Sequence, residues 1–176
     1  MRKYLIYSSL IILGTVATIL IYLSIYGIKT ESFNDLISNK IKEVNPKLSL
    51  NISDVFFKLN VKEKSINITT QNSKIFIDKE FINLSRIDLN LDILKFLRKE
   101  NAIKKIKILT DKNKIKKFAD FINSYKFNIP RVLFFNQIKD GNITAEININ
   151  FSNKDTNEYF FDVNANIREA KLNLLN

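Results

Sequence analysis

Apolar and polar residues alternate along two neighbouring segments in the second half of the chain. From Ile143 to Phe151 every second residue is apolar, and the residues between them are Thr, Glu and Asn. The segment Tyr159–Ile167 repeats this alternation. A period of two is that of a β-strand with one apolar and one polar face. The polar run between the segments predicts a turn, so the two strands should form an antiparallel hairpin.

The apolar face of this hairpin is the candidate functional surface. It is either part of an ordinary hydrophobic core or a surface that holds a ligand, and the pattern leaves both interpretations open. If the face holds lipid, it does so by apolar contact alone. Its predicted lining residues are Ile143, Ala145, Ile147, Ile149, Phe151, Tyr159, Phe161, Val163 and Ala165.

The rest of the chain outside the N-terminus also alternates, with two helical interruptions. Strands are predicted over 48–61 with a bulge at Ser53–Asp54, and around 66–68, 75–77, 87–91, 106–108, 132–138, 142–151, 159–167 and 170–174. Short helices are predicted around 92–100 and over 114–125, where apolar residues recur at helical spacing. The predicted fold class is α+β, mostly antiparallel β, with a curved, groove-like sheet and two short helices.

The N-terminal segment is long and uncharged. No charge occurs from Tyr4 to Ile28, and as a helix these residues span about 37 Å at about 1.5 Å per residue, enough to cross a bilayer core of about 30 Å. A cleaved signal peptide would have a shorter apolar run and a small-x-small site. Residues 1–29 are therefore predicted to be an uncleaved single-pass anchor, with Tyr4, Leu13, Leu20 and Tyr26 among its membrane residues.

Residues 30–46 are predicted to form an amphipathic helix that ends at Pro46. Its apolar face consists of Phe33, Leu36, Ile37, Ile41 and Val44. Such a helix either lies along the bilayer or plugs the end of a sheet. The plug is favoured because the polar face carries acidic residues as well as lysines. Residues 47–176 then form a β-rich domain outside the membrane.

The composition excludes several kinds of chemistry. The chain has neither Cys nor His, so disulfides, Cys/His zinc sites and His-based nucleophile pairs are excluded. No Gly-x-Ser-x-Gly motif and no acidic pair in a Gly-rich turn suggest a hydrolase. We therefore expect no enzymatic activity, no cofactor and no metal.

The net charge of +10 raises the question of a nucleic-acid partner. Of the 28 basic residues only five are Arg, the residue favoured for bidentate phosphate recognition. The excess of Lys is typical of solvated faces, so no nucleic acid is expected. The membrane is the expected partner, with envelope proteins left open.

Three segments resemble the N-terminal region of the AsmA-like family (AsmA, TamB, YhdP and relatives). They are "KLSLNISDVFFKL" (47–59), "FINLSRIDLNLDILKFLRKENAIKKIKIL" (81–109) and "KDGNITAEI" (139–147), preceded by the anchor and the short helix. The family consists of Gram-negative inner-membrane-anchored proteins with long periplasmic β-sheets. Its members usually have many hundreds of residues, whereas this sequence has 176.

The resemblance implies a lipid-carrying protein without catalytic residues. In that family a taco-shaped sheet carries phospholipid acyl chains on its concave face, so this chain would be a single-pass inner-membrane protein of lipid transport or outer-membrane homeostasis. Most of it would lie in the periplasm, at the start of a longer sheet. Two alternatives stay open. One is an LptC-like bitopic scaffold of lipopolysaccharide export, which the helix over 114–125 fits less well, and the other is a structural β-domain without a ligand.

Overall fold

The structure describes an open antiparallel sheet and helices that include four with defined ends. The computed structural model describes residues 2–30, 34, 38, 46–98, 100, 102–125, 129–152 and 159–172. The helices are α1 (Arg2–Ile25), α2 (Ile93–Leu97), α3 (Ile115–Tyr125) and α4 (Ile129–Asn136). The strands are β1 (Ile28–Thr30), β2 (Leu48–Asn51), β3 (Asp54–Asn60), β4 (Ser65–Ile77), β5 (Glu80–Asp92), β6 (Ile103–Thr110), β7 (Asn113–Lys114), β8 (Ile138–Phe151) and β9 (Tyr159–Leu172).

The strands follow one another across a single sheet. Their order is β1, β3, β4, β5, β6, β8, β9, with β2 beside β4 and β7 beside β8. Every pair is antiparallel. Within the described residues β1 and β9 pair with one strand each, so the sheet is open. The mostly antiparallel fold class is confirmed, while the curved groove stays a prediction.

The inward-facing residues of β4 change from even to odd numbers near the middle of the strand. Thr70 and Ser73 are both buried, although they are three residues apart, and their hydroxyls hydrogen-bond to each other. Between them Asn72 adopts a left-handed backbone conformation with φ of 52°. Beside β4, the strand conformation is interrupted at Ile52–Ser53, between the end of β2 and the start of β3. The irregularity predicted at Ser53–Asp54 thus coincides with a bulge-like break that crosses strands.

Helix α3 covers the centre of the sheet. It packs against β4, β5 and β8, and its buried residues include Ile115, Phe118 and Phe121. This confirms the helix predicted over 114–125. Gly141 in β8 makes the contact close, because a Cβ there would lie 2.8 Å from Cδ1 of Ile115, and its φ of +152° also disfavours other residues.

The strand predicted around Val132–Ile138 is wrong, because Ile129–Asn136 forms helix α4. Pro130 in the first helical turn fits a helix start, where the missing N–H costs little. The apolar run "VLFF" has no clear period, and such short runs do not distinguish strand from helix. Elsewhere the predicted pairs of short strands are joined: 66–68 and 75–77 both belong to β4, and 159–167 and 170–174 fall on β9, whose last described residue is Leu172.

Helix α1 leads directly into the sheet. Ile6–Ile25 is long and apolar enough to span a bilayer and is not buried in the protein. Tyr4, Leu13, Leu20 and Tyr26 are all exposed. Only Tyr26 and Gly27 separate α1 from β1, and α1 itself packs against β3.

Gly27 forms the joint between the helix and the sheet. Its φ is +70°, and a Cβ there would lie 2.7 Å from the carbonyl oxygen of Phe57 in β3. Real Cβ atoms do not approach a backbone oxygen so closely, so the joint requires glycine.

The amphipathic helix predicted over 30–46 lies outside the described residues, apart from its ends and from Asn34 and Ser38. Both of these are helical. Asn34 Nδ2 donates a hydrogen bond to the carbonyl oxygen of Ile52, and Ser38 Oγ donates one to that of Leu50, each at 3.3 Å. These two side chains therefore lie against the β2 end of the sheet.

Candidate apolar surface on the sheet

The strand register aligns apolar side chains in rows that cross the sheet. Directly opposed residues of antiparallel strands point to the same face. One row runs from β3 to β9 and consists of Phe57, Ile68, Leu89, Ile106, Ile149 and Phe161. The next row consists of Val55, Thr70, Ile87, Ile108, Ile147 and Val163. One face of the sheet is thus almost continuously apolar.

Burial along these rows falls toward the β9 edge. Ile68 in β4 is 9% exposed, Ile149 in β8 is half-buried, and Phe161 in β9 is 70% exposed. In the neighbouring row Val55 is fully buried and Val163 is 50% exposed. The apolar face therefore continues beyond the part of the sheet that the protein itself covers.

The predicted lining residues fall into two groups. Ile143 and Ala145 are buried in the hydrophobic core. Ile147, Ile149 and Phe151 are half-buried, and Phe161, Val163 and Ala165 are exposed. Tyr159 pairs with Phe151 through the strand register, and its side chain is outside the described part of the structure.

Helix α3 is the reason for this division. It packs more extensively against β8 than against β9, and Ile115 at its start faces Gly141. The residues of β8 close to that point, Ile143 and Ala145, are therefore covered. Those farther along β8 extend past the helix.

We call the uncovered part the β8–β9 surface. It consists of Ile106, Ile147, Ile149, Phe151, Phe161, Val163 and Ala165. Ile106 was not assigned to it from the sequence, although it lies opposite Ile149. Its place depends on β6 pairing with β8 across an intervening helical segment, which a local pattern does not specify. Ile167, 38% exposed and opposite Ile143, lies beside this surface.

The other face of the same strands is polar and internally bonded. Lys107 Nζ lies 2.8 Å from Glu146 Oε1, and Asn148 Nδ2 donates to the same oxygen at 3.0 Å. Thr69 Oγ1 and Arg86 Nε both contact Asp88 Oδ1, at 2.7 and 2.8 Å. Within the part of the chain that the structure describes, no group of three or more acidic, His or Cys side chains is arranged to hold a metal ion.

Comparisons with known protein families, with curated proteins and with solved structures gave no match. The function of the β8–β9 surface is therefore inferred from its own geometry and chemistry.

Three carboxyl groups of the sheet predict a loss of stability in acid. The backbone N–H of Lys95 and the Lys104 ammonium lower the pKa of Asp92, and the Lys107 ammonium lowers the pKa of Glu146. The N–H of Gly141 likewise lowers the pKa of Asp140. A pKa lower in the folded state means that the charged form stabilises the fold. That stability is present above the unfolded pKa of about 4 and is lost as the pH falls through the folded pKa.

We therefore expect the melting temperature to be constant between about pH 7 and pH 5 and to fall below about pH 4. Circular dichroism of the full chain in detergent would measure it. Glu146→Gln should reduce the acid-dependent fall, because one of the three titrating groups is removed. A melting temperature that rises on acidification would contradict this account.

Proposed function

We propose that this protein is a membrane-anchored, non-enzymatic lipid carrier that holds acyl chains on the β8–β9 surface. It would be anchored in the inner membrane by α1, with the sheet in the periplasm, and would act as the AsmA-like family does in lipid transport or outer-membrane homeostasis. No catalytic residue is involved, because an acyl chain is held by apolar contact and released by exchange.

The observation that carries this proposal is the exposure of Phe161 and Val163 in line with core residues. The row of Phe161 is buried at Ile68 in β4, and the row of Val163 is buried at Val55 in β3, so the pattern places both residues on an inward face, but nothing described covers them. Contiguous apolar patches of this kind mark binding sites on soluble surfaces. An acyl chain needs an apolar strip and no hydrogen-bond donors, and these rows provide such a strip.

The retained anchor is supported by the way in which α1 meets the sheet. The helix packs against β3, and the strand that follows it pairs with β3 from Ile28 to Thr30. A signal peptide removed near Gly27 would separate this strand from the helix that precedes it. The close joint at Gly27 favours a helix that stays attached to the folded domain.

A second candidate function is a scaffold that binds another protein at β9. Only one side of this 14-residue strand is paired in the described structure, and its side chains from Phe160 to Leu172 are exposed. An exposed edge strand can pair with a strand of a partner. Such pairing would use the backbone of β9 and leave the apolar face in place.

A photo-crosslink from β9 tests the proposal and separates the two functions. Benzoylphenylalanine is placed at Val163 on the apolar face, with Asn164 on the polar face of the same strand as the matched control. The full chain is expressed in a Gram-negative cell, and the adducts are identified by mass spectrometry. Phospholipid adducts from Val163 but not from Asn164 are expected.

Two other results would overturn the lipid proposal. Adducts to a second protein from both positions would favour the scaffold, since strand addition places the partner beside both faces. Adducts from Val163 only to this same chain would mean that the face is covered in the cell by the protein itself.

A further inference from the structure

Helix α2 is an apolar helix that buries none of its residues. Leu94 is 53% exposed, Phe96 47% and Leu97 71%. The turn between β3 and β4 lies next to it, because the N–H of Ile93 donates a hydrogen bond to the carbonyl oxygen of Lys64 at 3.1 Å. This turn adds Val61, which is 56% exposed. We call these four residues, Val61, Leu94, Phe96 and Leu97, the α2 patch.

The α2 patch and the membrane anchor lie at the same end of the sheet. β1 is antiparallel to β3, with Ile28 opposite Phe57, so the chain that precedes β1 lies toward the end of β3 at Asn60. Val61 follows Asn60 directly, and α2 follows the end of β5, two strands away. Neighbouring strands are about 4.8 Å apart, which separates β5 from β3 by about 10 Å.

Aromatic residues mark the membrane boundary at this end. The rings of Tyr22 and Tyr26 lie 5.3 Å apart, centroid to centroid, at the end of α1. Tyr side chains are enriched at the level of the lipid headgroups. Tyr26 immediately precedes Gly27, where a Cβ would lie 2.7 Å from the carbonyl oxygen of Phe57 and 3.5 Å from Cβ of Lys58. The headgroup level therefore lies close to the end of β3 and to the α2 patch.

Basic residues accompany the α2 patch. Lys62 and Lys64 lie in the turn, and Lys95 and Arg98 in or just after α2, against the acidic Glu63 and Glu100. An excess of basic side chains around exposed apolar ones complements a surface of anionic lipid headgroups. A protein partner would not require the patch to lie beside the anchor, whereas a bilayer does.

We propose that the α2 patch inserts into the headgroup region of the membrane that holds α1, so that the sheet stands on its end on the bilayer. The β8–β9 surface then opens toward the lipid. Its row from Ile106 to Phe161 lies close to this end, because β6 begins at Ile103 just after α2 and Phe151 is the last residue of β8. The proposed membrane contact of the α2 patch depends on α1 spanning that membrane. The role of this end of the sheet as an entry for acyl chains rests on the proposed function.

Site-specific fluorescence tests this placement in the full chain. The protein has no Cys, so a single introduced Cys carries the only thiol-linked label. Leu97→Cys places an environment-sensitive fluorophore in the α2 patch. Lys79→Cys is the matched control, an exposed residue in the turn between β4 and β5 at the opposite end of the sheet. The protein is reconstituted into vesicles of phosphatidylcholine and phosphatidylglycerol with or without nitroxide-labelled lipid.

The expected result is a blue-shifted emission and loss of most of the fluorescence to nitroxide lipid at position 97, with neither change at position 79. Adding Lys62→Glu and Lys64→Glu should reduce the quenching at position 97 in anionic vesicles, because two attractive charges become repulsive. Equal quenching at both positions would mean that the sheet lies flat on the bilayer. No quenching at either position would mean that the α2 patch does not contact the bilayer, and would favour a protein partner. Either result overturns the proposal.

The same vesicles separate this inference from the proposed function. Benzoylphenylalanine at Val163 reports lipid on the β8–β9 surface independently of the label at position 97. Quenching at 97 without lipid adducts at 163 supports the membrane contact and contradicts the carrier. Lipid adducts at 163 without quenching at 97 support the carrier and contradict the membrane contact.

Discussion

Replacing Phe161 with glutamate is expected to remove the phospholipid crosslinks formed from position 163 and to leave the fold intact. Phe161 is 70% exposed and lies opposite Ile149 on the apolar face. A carboxylate at position 161 must lose its water when an acyl chain covers it. The neighbouring row on that face contains no basic residue that could pair with it. Burial of an unpaired charge is far more costly than the loss of one apolar contact.

Stability should change little in this variant, because the substituted side chain is mostly in solvent. We expect a change of less than about 1 kcal/mol in the free energy of unfolding, within the range of strand propensities and surface substitutions. Asn166→Glu is the matched control, since it adds the same charge to the polar face of the same strand. Equal loss of crosslinks in both variants would point to charge in general. Unchanged crosslinks in Phe161→Glu would contradict an acyl chain at this site.

Truncating Ile115 to alanine is expected to destabilise the protein by about 3 kcal/mol, within the range measured for large-to-small core changes. Ile115 is 2% exposed and is the first residue of α3, where it contacts β8 at Gly141. Gly141 has no side chain that could fill the space, so a cavity is expected to remain. A loss of this size is a large fraction of the stability of a typical domain.

Equilibrium unfolding in guanidinium, followed by circular dichroism in detergent, would measure the effect. Lys116→Ala is the control, because Lys116 is exposed on the same helix. Lys and Ala both favour the helical conformation. Equal midpoints for Ile115→Ala and Lys116→Ala would mean that α3 does not hold the core together. Lipid crosslinking from Val163 should persist in the folded fraction of Ile115→Ala, because the β8–β9 surface lies beyond the helix.

Much of the sheet follows from the alternation of residues, because a buried face imposes a period of two on each strand. β8 and β9 pair as the alternating segments predict, with Ala145 opposite Ala165. The break near Ser53 was visible as a change of phase. The matching irregularity in β4 was not visible in the sequence. It depends on the left-handed conformation of Asn72, which an Asn side chain permits but does not require.

The elements that local patterns missed depend on turn chemistry and on tertiary contacts. At Asp78–Lys79 a two-residue turn joins β4 to β5, with Asp78 at a φ of 52°. Asp tolerates this conformation, although Asn-Gly is the stronger signal for such turns. Helix α4 was missed because Val132 and Phe135 suit a strand as well as a helix.

The sequence could predict which residues share the apolar face of the sheet, but not which of them are exposed. Ile143 and Val163 belong to equally regular alternations, yet the first is 4% exposed and the second 50%. The difference arises because α3 packs against β8, whereas β9 lies at the open edge of the sheet. The docking of α3 depends on contacts distant in sequence, which no alternation of neighbouring residues contains.

With α1 in the bilayer, as proposed, the two-residue joint at Tyr26–Gly27 would couple the orientation of the sheet to the membrane. A spanning helix adjusts its tilt when the thickness of the hydrocarbon layer changes. With α1 ending at Ile25 and β1 paired from Ile28, there is no linker to absorb that rotation. A thinner bilayer would make the whole sheet lean, whereas a flexible tether would let the domain keep its angle.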